Sequence, residues 1–188
     1  MVEPTDEELM LRFCAGDTSA FEALYTRRAA GLHAYLRHLV RDEAQAEDLL
    51  QATFLSVVRA KDRWRRGSKV STWMFSIATN AARDVLRRDR RWAEGSEPRQ
   101  RLTSEDDRRP AEGLSFEPAL RDPKLAARLE TALAQLPLAQ REAVVLHHVL
   151  EWSFEEMAEV LGTSPGNLRV RCHRAFATLR EALGEERS

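Results

Sequence analysis

The sequence predicts an all-α protein of two small helical domains, an N-terminal helical bundle and a C-terminal four-helix domain with a helix-turn-helix, joined by a flexible linker. Three observations predict it. Ala, Leu, Arg and Glu dominate and β-branched runs are few, which favours helix throughout. Apolar residues recur at three- and four-residue spacing between capping signals, and no two segments alternate as a strand pair would. From Ala93 to Pro123 that periodicity vanishes, and Gly95, Pro98, Pro110, Gly113 and Pro118 stand among clustered charges, as in a linker of about 30 residues. Domains are expected over residues 1–92 and 124–188, with the linker at 93–123.

Helical signals then follow in order. Thr5 and Glu8 form a capping box for a first helix from about Asp6, stopped at Gly16, with Leu9, Met10 and Phe13 as its inner stripe. A second helix should run from Thr18 to about Val40 with Phe21, Leu24, Tyr25, Leu32, Tyr35, Leu36 and Leu39 inward. Gly31 inside it costs about 1 kcal/mol relative to Ala and permits close helix contact. Asp42 caps a third helix to about Ala60, with Leu50, Phe54 and Val57 on one face and Glu47, Asp48 and Gln51 on another. After a loop holding Trp64 and Gly67, Ser71 or Thr72 caps a fourth helix reaching about Arg90, in which Trp73 and Ile77 are read as core. In the second domain, helices are expected from Lys124 to Leu136, Leu138 to Leu150, Phe154 to Leu161 and Pro165 to Leu183. Leu125, Leu129, Leu133, Leu136, Val144, Val145, Met157, Leu161, Leu168 and Leu179 would form their core.

Charge is distributed unevenly. The chain carries 29 basic and 30 acidic residues and a net charge of -1, yet residues 1–58 sum to -5 and residues 59–92 to +8. The basic stretch holds eleven Lys/Arg against three Asp, with Trp64, Trp73, Phe75 and Trp92 interleaved. Cations among aromatics suit a phosphate backbone and unstacked bases. The acidic front would be repelled by nucleic acid and suits a protein partner instead.

A second signal lies near the C-terminus. Ser153 and Glu156 form another capping box, Gly162 ends that short helix, and Ser164-Pro165 opens a longer one carrying Arg169, Arg171 and Arg174. A short helix, a glycine turn and a longer basic helix make the helix-turn-helix pattern, whose second helix lies in the major groove.

Other functions are poorly served. Cys14 and Cys172 are far apart, which argues for a reducing compartment with each cysteine a small buried hydrophobe. No apolar run approaches the roughly 18 residues of a membrane span and no signal-peptide order opens the chain, so a cytoplasmic protein without membrane insertion is expected. The histidines His33, His38, His147, His148 and His173 show no ligand spacing, and no glycine-rich phosphate loop is present. No catalytic residue, metal or cofactor is expected, and an enzyme is disfavoured.

Taken together, the two halves resemble the extracytoplasmic-function sigma factors of the sigma-70 family, small initiation subunits of bacterial RNA polymerase. The resemblance is carried by Gly16-Asp17 with Ala20-Phe21, by Ala46 to Leu55, and by Thr72-Trp73-Met74-Phe75 with Asn80, Asp84 and Arg87-Arg88. In the second half it is carried by Leu136-Pro137, Gln140-Arg141-Glu142, Glu155 to Glu159 and Gly166 to Ala175. It departs from the family pattern at Ala52, at Val70-Ser71, at Asn167-Leu168 and at Val170.

The resemblance implies an alternative sigma factor that binds core polymerase, recognises −35 and −10 elements and promotes melting. By this resemblance Asp48, Leu49, Gln51 and Phe54 grip the polymerase β′ clamp. Trp64, Arg65, Lys69, Ser71, Asn80, Arg83 and Arg87 hold the melted −10 strand, and Asn167, Arg169, Arg171, His173 and Arg174 read the −35 duplex. It further implies the polymerase β subunit, promoter DNA and a cognate anti-sigma factor as partners, in a stress response. The competing expectation is a stand-alone helix-turn-helix transcriptional regulator, which leaves the acidic-then-basic order of Ala46 to Arg91 unexplained.

Overall fold

The computed structural model describes residues 3–94 and 123–184, which are helical with no strand among them. They divide into two compact units whose main boundary falls at Arg90, with Glu159–Leu161 grouped with the first. In the first unit the helices are α1 (Asp6–Cys14), α2 (Thr18–Val40), α3 (Glu43–Ala60) and α4 (Val70–Glu94), with a 3-10 turn at Lys61–Arg63. In the second they are α5 (Pro123–Gln135), α6 (Leu138–Val144), α7 (Phe154–Leu161) and α8 (Pro165–Leu183). α4 thus extends past Arg90 to Glu94 and α5 begins at Pro123, so both ends of the linker expected at 93–123 are helical, and residues 95–122 lie outside the described residues.

Local signals set most helix starts. Thr5 and Glu8 complete their capping box at α1. Asp17 accepts from Ser19 and Ala20 to cap α2, and its bond from the Ser19 side chain, helped by Arg12, holds its carboxyl at about 2. Asp42 accepts from the Gln45 amide to cap α3. The start of α4 departs from expectation. It begins at Val70, whose N–H donates to Glu7 Oε1 at 3.1 Å, so a carboxylate of α1 caps it. Thr72 is buried and makes no such cap.

The first core lies where α2 meets α3 and α4. Leu24, Leu32, Tyr35, Leu36 and Leu39 of α2 are buried there with Ala46, Leu49, Thr53, Phe54 and Val57 of α3 and with Met74, Phe75, Ala78 and Ala82 of α4. The Tyr35 and Phe75 rings stand 5.4 Å apart. Thr79 donates its hydroxyl to the Phe75 carbonyl, which leaves Tyr35 to donate to Thr79 Oγ1 at 2.9 Å. α1 is fastened by buried Asp6, which pairs with Arg27 at 2.8 Å and with Arg28. Tyr25 is not inward: it is 45% exposed, and half-buried Phe21 shares its edge position. Both rings pack on Phe54, at 4.5 Å for Tyr25 and 6.0 Å for Phe21, closing the rim of the core.

In the second unit Leu133, Leu136, Val144, Val145, Met157, Leu161, Leu168 and Leu179 are buried as expected, while Leu125 and Leu129 are half-buried. Buried Arg141 donates to the carbonyls of Ala134 and Leu136, satisfying the end of α5. The expected helix to Leu150 is α-helical only through Val144 and widens into a π-turn at Val145–Val149. Leu150 N–H reaches back to Val145 O, Trp152 N–H reaches Leu146 O, and Glu151 takes a left-handed φ of 56°. These bonds hold the loop that feeds α7.

Candidate nucleic-acid and protein interfaces

Two faces of the first unit stand out once burial is known. At about 100° per residue, Asp48, Gln51, Ala52 and Leu55 share the outer side of α3. Asp48 and Gln51 are exposed, and beside them Leu55 is 55% and Val58 40% exposed. An acidic and amide-bearing strip with two uncovered aliphatics can hydrogen-bond a protein partner and bury apolar area against it. Leu49 and Phe54, expected to grip that partner, are instead buried in the core, where they fix the rotation of α3 from inside. Leu55 and Val58 escaped the sequence reading because burial, not hydrophobicity, decides which apolar positions face out.

The outer side of α4 carries Trp73, Ile77, Asn80, Asp84 and Arg87 by the same geometry. Trp73 and Ile77 are half-buried rather than core, and Asn80 and Arg87 are exposed. The buried side is taken by Thr72, Phe75, Ala78, Thr79 and Ala82, which leaves Trp73 on the outside. One stripe therefore offers an aromatic ring, an amide and a guanidinium in sequence along the helix. Arg87 is paired with Asp84, and Arg83 is half-buried. Ahead of the helix Arg65 and Lys69 are exposed and Ser71 is half-buried, but Trp64 is only 7% exposed. Its indole is buried, and its Nε1 has no hydrogen-bond partner among the described residues.

The second unit builds the helix-turn-helix. Ser153 and Glu156 complete the capping box of α7, Gly162 ends it at a left-handed φ of 65°, and Ser164 accepts from the Asn167 amide to start α8. Leu168, Cys172, Ala175, Phe176 and Leu179 hold α8 inward, and burial pushes the Cys172 thiol up to about 12. Asn167, Arg169, His173 and Arg174 are exposed, and Arg171 is half-buried.

The comparisons with known proteins decide between the readings. Residues 24–92 match the family described as Sigma-70 region 2, and residues 126–179 match Sigma-70, region 4. The chain is 46% identical over 176 residues to the RNA polymerase sigma factor CarQ of Myxococcus xanthus, covering 94% of this chain and 96% of that one. It is 33% identical to the ECF RNA polymerase sigma factor SigM of Mycobacterium tuberculosis, covering 97% of this chain and 86% of the relative. The chain belongs to the extracytoplasmic-function sigma factors. Its fold agrees with that of CnrH, solved in complex with the cytosolic domain of CnrY, at a TM-score of 0.71 and 26% identity over 97% of this chain and 99% of that one.

In this sigma factor the α3 and α4 stripes lie within the matched region 2 and the helix-turn-helix within region 4. Two further clusters need separate accounts. His33, Glu43 and Glu47 bring one ligand atom each within 4.8 Å across the α2–α3 turn. Glu43 is largely exposed and its Oε1 lies 3.3 Å from His33 Nε2 without hydrogen-bond alignment, a side-chain contact that closes the hairpin. Cys14 is half-buried and donates its thiol to Lys61 O at 3.5 Å, tying α1 to the 3-10 turn. Among the described residues no helix is long and apolar enough to cross a membrane.

Proposed function

We propose that the chain binds core RNA polymerase through the outer face of α3 and directs it to promoters whose −10 and −35 elements it holds with α4 and α8. The observation that carries this is the pairing, in one unit, of a protein-directed acidic strip on α3 with an aromatic and cationic stripe on α4. Asp48 and Gln51 would bond the β′ clamp, with Leu55 and Val58 beside them. Leu49 and Phe54 would set that surface from the core. Asn80, Arg83 and Arg87, with Arg65, Lys69 and Ser71 on the preceding loop and Trp73 on the same stripe, would hold melted −10 DNA, with Trp64 supporting the loop. Capture of unstacked bases by rings and amides offsets the few kcal/mol of unstacking, so opening needs no ATP. Asn167, Arg169, Arg171, His173 and Arg174 would engage the −35 duplex.

The chain then acts by binding, with no catalytic residues of its own, beside a cytoplasmic polymerase whose β subunit it also meets. The fold shared with the sigma factor RpoE, solved in complex with the anti-sigma factor NepR from Bartonella quintana, supports a cognate anti-sigma factor for this chain too. Domains spanning 1–92 and 124–188 on either side of a linker at 93–123 fit such sequestration.

Multi-round transcription with core polymerase from a related bacterium tests the reading. New start sites should depend on this chain, and Gln51→Ala or Asn80→Ala should remove most of the signal while leaving the fold intact by circular dichroism. Absence of new starts, together with specific DNA binding by the free chain, would favour a stand-alone regulator.

A further inference from the structure

An unbroken column of rings runs from the second core to the surface of α8. Phe176, fully buried, meets the edge of His148 at 4.4 Å and 86°. His148 meets His147 at 4.5 Å, and His147 lies on Phe154 at 4.2 Å and 36°. The Arg169 guanidinium caps the column at 4.9 Å from the Phe154 centroid. His147 cannot turn away, because its Nδ1–H donates to the Trp152 carbonyl at 2.7 Å, and that carbonyl can only accept. A guanidinium over a ring at this distance is attracted by the ring's negative face and loses rotamer freedom before any ligand arrives. Glu155, at 3.6 Å, is its present anionic partner.

The position of Arg169 on α8 says what it is held for. With Leu168, Cys172, Ala175, Phe176 and Leu179 inward, the outward centre of the helix falls on Val170, His173 and Arg174 at about 100° per residue. Arg169 lies at one margin of that face and Arg171 at the other. A helix seated in the major groove turns its centre to the base edges and its margins to the two flanking backbones. We infer that Arg169 grips a DNA phosphate, and that Phe154 is the positioning residue that holds its guanidinium ready. On docking, the phosphate replaces Glu155 as the anion facing Arg169. Base reading on this helix falls to its centre and to Asn167 at the leading turn.

The inference rests on the promoter-binding function proposed above, and one experiment separates the two. Holoenzyme assembled from the full chain and core polymerase is titrated, over a range of salt, on a promoter that its own start sites have located. Failure of wild-type holoenzyme to initiate anywhere counts against the function itself. Given initiation, Arg169→Ala should lower the slope of log affinity on log salt by about 0.9, the signature of one lost phosphate, and weaken every −35 base variant equally. Phe154→Leu, which keeps the apolar bulk without a ring, should weaken binding by about two- to fivefold with the slope unchanged, and Phe154→Tyr should restore it. Two results would overturn the inference: an Arg169→Ala enzyme that changes preference at one base pair with its salt slope intact, or a Phe154→Leu enzyme that binds like wild type.

Discussion

Burial, then the neighbouring charge of His147, lowers the pKa of His148 from 6.5 to about 4. An unfolded chain would take up that proton first as the pH falls, so between about pH 6.5 and 4 the unfolded state binds more protons and folding loses stability with acidification. Thermal melts of the full chain should therefore show the transition of the second unit falling across that window, and His148→Gln should flatten the fall; an unchanged slope would mean that His148 is already charged in the folded state. At this scale the sequence was read well where chemistry is local and poorly where burial decides. Cys172 is the small buried hydrophobe expected, whereas the four-residue spacing of Trp73 and Ile77 suggests core where the structure has a half-buried stripe. That spacing is met equally by an outer stripe, and only the burial of Thr72, Phe75 and Thr79 on the other sides of the helix tells the two apart.

Within single elements, the glycine of α2 offers a direct check. A Cβ added at Gly31 would meet Phe75 Cζ at 4.0 Å, an ordinary contact, so close approach does not require glycine there. Gly31→Ala should stabilise the protein by about 0.5–1 kcal/mol through the unfolded chain's lost freedom, read as a higher denaturation midpoint at unchanged slope. Loss of stability would show that the added methyl meets more than the ordinary contact with Phe75. Helix starts are legible where the cap is local, as at Thr5, Asp42, Ser153 and Ser164. The start of α4 is not, because its cap comes from Glu7 on another helix. The π-turn was also hidden: VLHHV contains neither Gly nor Pro, and the widening is held by the Trp152 backbone and the His147 ring.

Across the whole molecule, charge is sorted along the chain. An acidic front of -5 precedes a +8 stretch, and the total is only -1, so the free chain has little net attraction for a phosphate polymer. Free protein is expected to bind promoter duplex weakly and with little sequence preference in gel shifts, and to footprint specifically only with core polymerase; tight, specific protection by the chain alone would contradict this. The charge order was readable from sequence because it is a sum over stretches. The separation of each stretch into an inner and an outer face required the fold.

Glu7 and Val70 stand 63 positions apart. Their hydrogen bond closes only after the intervening chain has been drawn into a loop, at an entropic cost that grows slowly with its length. The first turn of α4 thus takes its cap from α1, while the turns after it are held by bonds within the helix itself. The junction that carries Arg65, Lys69 and Ser71 is therefore tied to α1 by a contact between distant parts of the chain, so a change in α1 that removes the Glu7 carboxylate reaches the loop ahead of α4.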